Sequence, residues 1–235
     1  MRLRKYCMPI VLTCFSFNGL PICAVDDFPP TTVEGHYPDP ALGDGEEGLA
    51  LPDTAAALRG DSVLTSAYRD TLDILRNSNR CSEFFGGPAF AVHVFNQFIA
   101  GIRKDYFSRN IGIRMSGTTT NGSDHELNKR FRLFEKVTLN RDGPFYQRRL
   151  PNAGYAMPNV GTFEPGTRQA RMLTLLHELG HLVEGPDGNW LLPNDGDDEG
   201  LSRENSRTIQ RICGQEILKE TGKSGKGTHS AGKLD

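Results

Sequence analysis

The chain has 235 residues, 37% of them hydrophobic and 24% charged, with a formal net charge of −2 from 27 basic and 29 acidic side chains. That length allows one sizeable domain or two small ones. The balanced charge, with no basic stripe and no interleaving of basic and aromatic residues, excludes a nucleic-acid-binding class.

Arg2, Arg4 and Lys5 make a basic start, and Tyr6 to Leu20 is largely apolar or small. Pro21-Ile22-Cys23-Ala24 then leads into an acidic, Pro-rich stretch from Val25 to Pro40. This is the pattern of a secretory signal peptide over residues 1–24, cleaved near Ala24. A membrane anchor would need a longer apolar run than one broken by Asn18, Gly19 and Pro21, and no other stretch is apolar enough to span a bilayer. Lipidation at Cys23 would need small residues before it, where the chain has Pro21-Ile22. The expected location is therefore secreted or periplasmic. Removal of the signal leaves 24 basic against 29 acidic residues, a charge of −5, and two of the five cysteines, Cys81 and Cys213. An even pair in an oxidising compartment predicts a disulfide between them, tying the C-terminal helix to the N-terminal half. The alternative is two buried thiols.

Residues 25–60 are rich in Pro, Gly and Asp with little periodicity, and read as an extended or disordered leader. A single domain is expected over residues 61–220. Asp61 is a candidate cap for a helix from Ser62 to about Asn77, with Val63, Leu64, Ala67, Tyr68, Leu72 and Leu75 on one face. Cys81 falls in a short irregular piece before Gly86-Gly87. Pro88 opens a second helix to about Lys104, with Phe90, Val94, Phe95, Phe98 and Ile102 apolar. His93 lies beside that stripe, and a lone histidine without a partner at ligand spacing reads as structural.

From Asn110 the pattern turns to short β segments. Ile111 to Met115 alternates, and Phe131 to Leu139 is the best strand in the chain, followed by a turn over Asn140 to Pro144. His125-Glu126-Leu127-Asn128-Lys129 begins like a metal motif, but Lys129 stands where its second histidine would be. Residues 150–166 form a Gly/Pro/Asn-rich loop. Tyr146 and Tyr155 are near it, and aromatic packing is the reading for both. A helix follows over residues 168–184, capped by Thr167 and stopped by Gly185-Pro186. Residues 186–200 make an acidic, Gly-rich loop. Ser202 caps a last helix from Arg203 to about Glu220, with Ile209, Ile212, Cys213, Ile217 and Leu218 inward. The tail from Thr221 to Asp235 reads as disordered.

The helix over 168–184 contains His177-Glu178-Leu179-Gly180-His181, the pattern H-E-x-x-H. Positions i and i+4 share a helix face, so both imidazoles can address one cation, and Glu178 stands beside the first of them. Met172, Leu175, Leu176, Leu179, Leu182 and Val183 form an apolar stripe that would bury the helix with its histidine face in a cleft. The motif and its setting resemble the zincin metallopeptidase superfamily, in a small secreted bacterial type. The resemblance covers the HELGH helix and the order of elements.

A catalytic zinc site has three protein ligands and one open position. After His181 the one histidine is His229 in the tail, position 187 is Asp187, and no methionine follows Met172. A third histidine with a Met-turn is thus excluded, and the third ligand is expected to be a carboxylate. Asp187 resembles the terminal residue of the variant pattern H-E-x-x-H-x-x-G-x-x-D, with the glycine displaced to Gly185. Glu199 has roughly the spacing of the distal ligand in gluzincins, and Glu204 lies on a helix as gluzincin ligands do. Asp195 is preferred, because Leu191 to Gly196, followed by Leu201 to Ser206 and Cys213, looks like the end of small secreted zincin-like proteins.

The resemblance implies an α+β, zincin-like fold: a small mixed sheet packed on the active-site helix, with further helices on both sides. It implies one Zn²⁺ per chain on His177, His181 and Asp195, with Glu178 as general base for peptide-bond hydrolysis. The partners would be peptide or protein substrates, with no stable membrane insertion once the signal is cleaved. A strand before the helix, Phe131 to Leu139, would hold an extended peptide along its edge. The alternative is a non-catalytic secreted or cell-envelope protein of zincin-like fold.

Overall fold

A computed structural model of the protein describes residues 52–106, 111–124, 127–150 and 154–223. The signal sequence, the leader up to residue 51, His125 and Glu126, and the tail from residue 224 lie outside the described residues. The elements in order are α1 (Pro52–Leu58), α2 (Ser62–Leu75), α3 (Arg80–Phe84), α4 (Pro88–Gly101), β1 (Ile102–Asp105), β2 (Ile113–Asp124), β3 (Lys129–Asn140), α5 (Arg168–Gly180) and α6 (Glu199–Lys223). The class is α+β, with six helices and a three-stranded mixed sheet among the described residues.

Local chemistry starts most helices. The Asp61 carboxylate accepts the Leu64 N–H at 2.9 Å and caps α2. Asn79 and Ser82 form a capping box at α3, so the segment around Cys81 is helical rather than irregular. Pro88 occupies the first turn of α4, where its missing N–H costs nothing. Thr167 accepts from Ala170 N and caps α5. The last residues of the expected leader are also ordered: α1 packs on α4, where the buried Thr54 hydroxyl donates to Asn96 O at 3.2 Å.

The sheet runs β1-β3-β2, with β1 parallel to β3 (Ile102 against Val137) and β2 antiparallel to it (Ile113 against Leu139). Residues 102–104, expected as the end of the second helix, belong to β1: α4 stops at Gly101 and Ile102 turns its side chain into the core. Strand β2 continues well past Met115 to Asp124. Its register with β3 shifts between Ser116 and Thr119, where Gly117 takes a φ of +87° that favours glycine.

Helix α5 lies against α2, α4 and α6. Met172, Leu173, Leu175, Leu176 and Leu179 are fully buried, which makes this a core helix. At its start Arg168 grips Asp70 of α2 through two 2.6 Å hydrogen bonds. Cys81 of α3 and Cys213 of α6 are joined by a disulfide, as expected, across 132 positions of sequence. It ties α6 to the N-terminal helices.

Helix α5 ends at Gly180, four residues before the expected stop. Leu182 and Val183 are buried as expected, but as extended chain beside β3: Arg132 N–H donates to Leu182 O at 2.8 Å and Glu184 N–H to Arg130 O at 3.0 Å. Sheet hydrogen bonds take over from helical ones. Strand β3 is thereby flanked on both sides, by β2 and by β1 plus residues 182–184. Strand β3 is therefore central rather than an edge, contrary to the expectation for Phe131 to Leu139; β1 and β2 are the outer strands.

Candidate metal centre and its cleft

The chain reverses after Val183 in a tight hairpin. Gly185 N–H donates to Asn189 O (2.7 Å) and Leu191 N–H to Val183 O (2.9 Å). Leu192 N–H then donates to Gly180 O at 3.0 Å, laying the returning strand across the end of α5. Gly180 is what permits this approach: a Cβ there would stand 2.6 Å from Leu192 Cδ1. Three residues on, Asp195 arrives over the two histidines.

His177 Nε2 lies 3.0 Å from Asp195 Oδ2, His181 Nε2 lies 3.4 Å from Asp195 Oδ1, and the two Nε2 atoms are 3.1 Å apart. Both histidines are buried. Of the carboxylates weighed as third ligand, the structure brings only Asp195 to the histidines. Asp187 is exposed and closes the hairpin by accepting from Asn189 N and Nδ2. Glu199 is exposed and pairs with Arg203, and Glu204 is exposed on α6.

His177, His181 and Asp195 form a group that could hold a metal ion. Three electron-pair donors converge there. Ligands at about 2.0–2.1 Å from a tetrahedral zinc stand roughly 3.3 Å from one another, by the geometry of a tetrahedron. The two Nε2 atoms, 3.1 Å apart, are close to that spacing, and Asp195 turns one oxygen to each ring, so that one donor atom from each residue lies within 4.8 Å of the others. The residues present therefore fit a small divalent cation that accepts nitrogen and oxygen ligands.

Around the donors stand residues that sequence reasoning missed. Ser206 Oγ lies 2.9 Å from His177 Nδ1. Asn205 Nδ2 donates to Pro193 O at 3.0 Å and to Asp195 Oδ2 at 3.4 Å. Arg132 Nε donates to His181 O at 2.8 Å, and its guanidinium stacks on Trp190, 4.2 Å from the ring centre. One signal for the first two was present: Asn205 and Ser206 extend the face of Ile209, Cys213 and Ile217 by one turn, and buried polar residues require partners.

A cleft of about 610 Å³ opens over this centre. It is lined by His177 and Glu178, by Ile111 to Ile113 and Val160, and by Asp195 to Glu199 and Ser206. Burial, reinforced by the charge of Asp195, pushes the Glu178 carboxyl well above the usual carboxylate range. Burial lowers His177, which favours the neutral ring that ligates metals. Burial alone would raise Asp195, but its hydrogen bonds and charge interactions with His177 and His181 outweigh that and hold it ionised.

The start of β2 lines the same cleft, through Ile113. Asn140 N–H donates to Gly112 O at 2.9 Å, which makes Gly112/Asn140 a hydrogen-bonded pair. In an antiparallel ladder such pairs alternate, so Ile113 and Met115 turn their backbone N–H and C=O away from β3. Among the described residues no backbone bond takes these groups up.

The other residues singled out from sequence lie elsewhere. Tyr146 donates its hydroxyl to Asp61 Oδ2 at 2.6 Å, and Tyr155 is 74% exposed. His93 packs edge-on against Phe131. No helix among the described residues is long and apolar enough to cross a membrane. Searches of family models, of curated proteins and of solved structures find nothing that matches this chain.

Proposed function

We propose that this protein is an exported zinc-dependent metallopeptidase with a zincin-like fold. The observation that carries the reading is the convergence of His177, His181 and Asp195, one donor atom from each within 4.8 Å of the others, beside Glu178 in the lining of a cleft. A zinc ion held by those three side chains supplies Lewis acidity towards a carbonyl and towards water. An extended peptide pairs with the outward backbone groups of Ile113, which lines the cleft, and continues past it to those of Met115. Glu178, held by α5 one residue after His177, accepts a proton from the attacking water. It returns that proton to the departing amine as the C–N bond breaks, leaving a carboxylate and an amine.

The Cys81–Cys213 disulfide supports folding in an oxidising compartment, consistent with export. A non-catalytic protein would have no use for a carboxylate base facing the cleft beside a three-ligand site. The test is hydrolysis of an unstructured protein such as casein by the purified chain. Activity is expected to be abolished by a chelator and restored by stoichiometric zinc. Full activity in the presence of chelator would overturn the reading.

A further inference from the structure

We propose that Asn205 and Ser206 of α6 are positioning residues that clasp the two halves of the donor set, one residue to each half. This rests on the metal-centre reading above. Helix α5 delivers the histidines, and the returning strand delivers Asp195. Apart from His181, itself a donor, no side chain between Gly180 and Asp195 has a hydrogen bond to the His177 ring or the Asp195 carboxylate among the described residues. Helix α6 supplies a bond to each.

Ser206 Oγ stands 2.9 Å from His177 Nδ1, with both side chains buried. A ring that donates Nδ1–H to a fixed hydroxyl keeps its Nε2 lone pair directed into the site. Asn205 donates to Pro193 O at 3.0 Å and to Asp195 Oδ2 at 3.4 Å, so it anchors both the backbone entering the turn and the carboxylate. Adjacent helix positions point about 100° apart, which lets two neighbours reach opposite halves of one centre. Below them Ile209, Cys213 and Ile217 continue the buried face, and Cys213 is bonded to Cys81. The helix that carries the clasp is therefore fastened to α3. His181 is held by another route: its Nδ1 is buried without a partner among the described residues, while its carbonyl accepts from Arg132.

The same hydrogen bonds trace hydroxyl, imidazole and carboxylate in the order of a serine nucleophile's triad. Ser206, however, lies inside a 25-residue helix with its side chain buried, and Asp195 is shared with a second histidine. The hydroxyl holds the ring; it does not attack.

The experiment is competition for zinc between the full chain and a chromophoric chelator. Ser206→Ala and Asn205→Ala are each expected to bind zinc about 10–100-fold more weakly, the usual effect of losing a residue that orients a ligand. Ser206→Thr, which keeps a hydroxyl, should recover much of the loss, and Arg207→Ala on the exposed face should bind as the wild type does. A merely structural role would not remove the slowly exchanging His177 Nδ1 proton from the nuclear magnetic resonance spectrum of Ser206→Ala while the rest of the spectrum is kept. If Ser206→Ala does not fold, Asn205→Ala and Ser206→Thr carry the comparison, and wild-type affinity in Asn205→Ala overturns the clasp. A wild-type chain that takes up no stoichiometric zinc overturns the metal centre and the clasp together. Zinc uptake by the wild type, with undiminished affinity in both alanine variants, overturns the clasp alone. Covalent labelling of Ser206 by a fluorophosphonate would replace the clasp with the nucleophile.

Discussion

Replacing Gly180 with alanine sets two effects of opposite sign against each other. Alanine in place of glycine favours a helix by up to about 1 kcal/mol. Against that, the new Cβ would stand 2.6 Å from Leu192 Cδ1 and 2.7 Å from its Cγ. Ordinary carbon–carbon contact is about 3.5–4.0 Å, so Leu192 must retreat by roughly 1 Å. Leu192 is 1% exposed and has little room to do so. Overpacking of this kind costs about 1–3 kcal/mol, so the clash outweighs the propensity gain. At roughly 2–4 °C per kcal/mol for a domain of this size, the metal-free protein should melt a few degrees lower. The displacement also reaches the donor set, because Leu192 N–H is bonded to Gly180 O and Asp195 follows three residues later. The rise in melting temperature on adding zinc should therefore be smaller in Gly180→Ala than in the wild type. Thermal denaturation with and without zinc measures both effects. Gly180→Ala combined with Leu192→Ala should retain more of the zinc-induced rise than Gly180→Ala alone, since the truncation removes the clash. A Gly180→Ala protein with a higher melting temperature and an undiminished zinc response would refute the reasoning.

Further predictions concern the ligand set, the α2 cap and the disulfide. Asp195→Ala should lose stoichiometric zinc by elemental analysis, whereas Asp187→Ala should keep it, because Asp187 serves the hairpin turn. Asp61→Ala removes the cap of α2 and the acceptor of the Tyr146 hydroxyl, and should cost about 1–2 kcal/mol in denaturant unfolding. Burial pushes Asp61 up, but the Leu64 N–H, Tyr146 and Lys104 outweigh it and hold the folded-state pKa low. Its contribution is then full above the unfolded carboxylate value of about 4 and fades as pH falls below it, so wild type and variant should converge in acid. Reduction of Cys81–Cys213 should lower stability by about 2–5 kcal/mol, a loss visible in thermal scans with and without reductant. Unchanged melting on complete reduction would remove the anchoring role given to that bond.

The His177–His181 face and the burial of α5 were legible because they depend on local periodicity, which a helix converts directly into geometry. The caps at Asp61, Thr167 and Pro88 were legible for the same reason. Choices made by distant partners were not. Leu182 and Val183 satisfy a helical pattern equally well as extended chain, and it is the free edge of β3 that decides between them. Ile102 extended the apolar stripe of α4, but residues 102–105 became β1 because a parallel partner begins at Val137. Helix α6 begins at Glu199, earlier than Ser202, since Asp198 accepts from the N–H groups of Gly200 and Leu201. Which strand would be the edge depended on topology, which no window of sequence contains. Asp195 was preferred on the look of its surrounding segment, but the means of its arrival lay in Gly180, read only as an unspecified position of the motif.

The central claim is that Glu178 moves protons at a zinc centre it does not itself hold. The measurement that tests it most directly is Glu178→Gln, assayed for zinc content and peptide hydrolysis in one preparation. One zinc per chain with turnover lost is the predicted result. Wild-type turnover in that variant, or the absence of zinc from the wild-type chain, would contradict it.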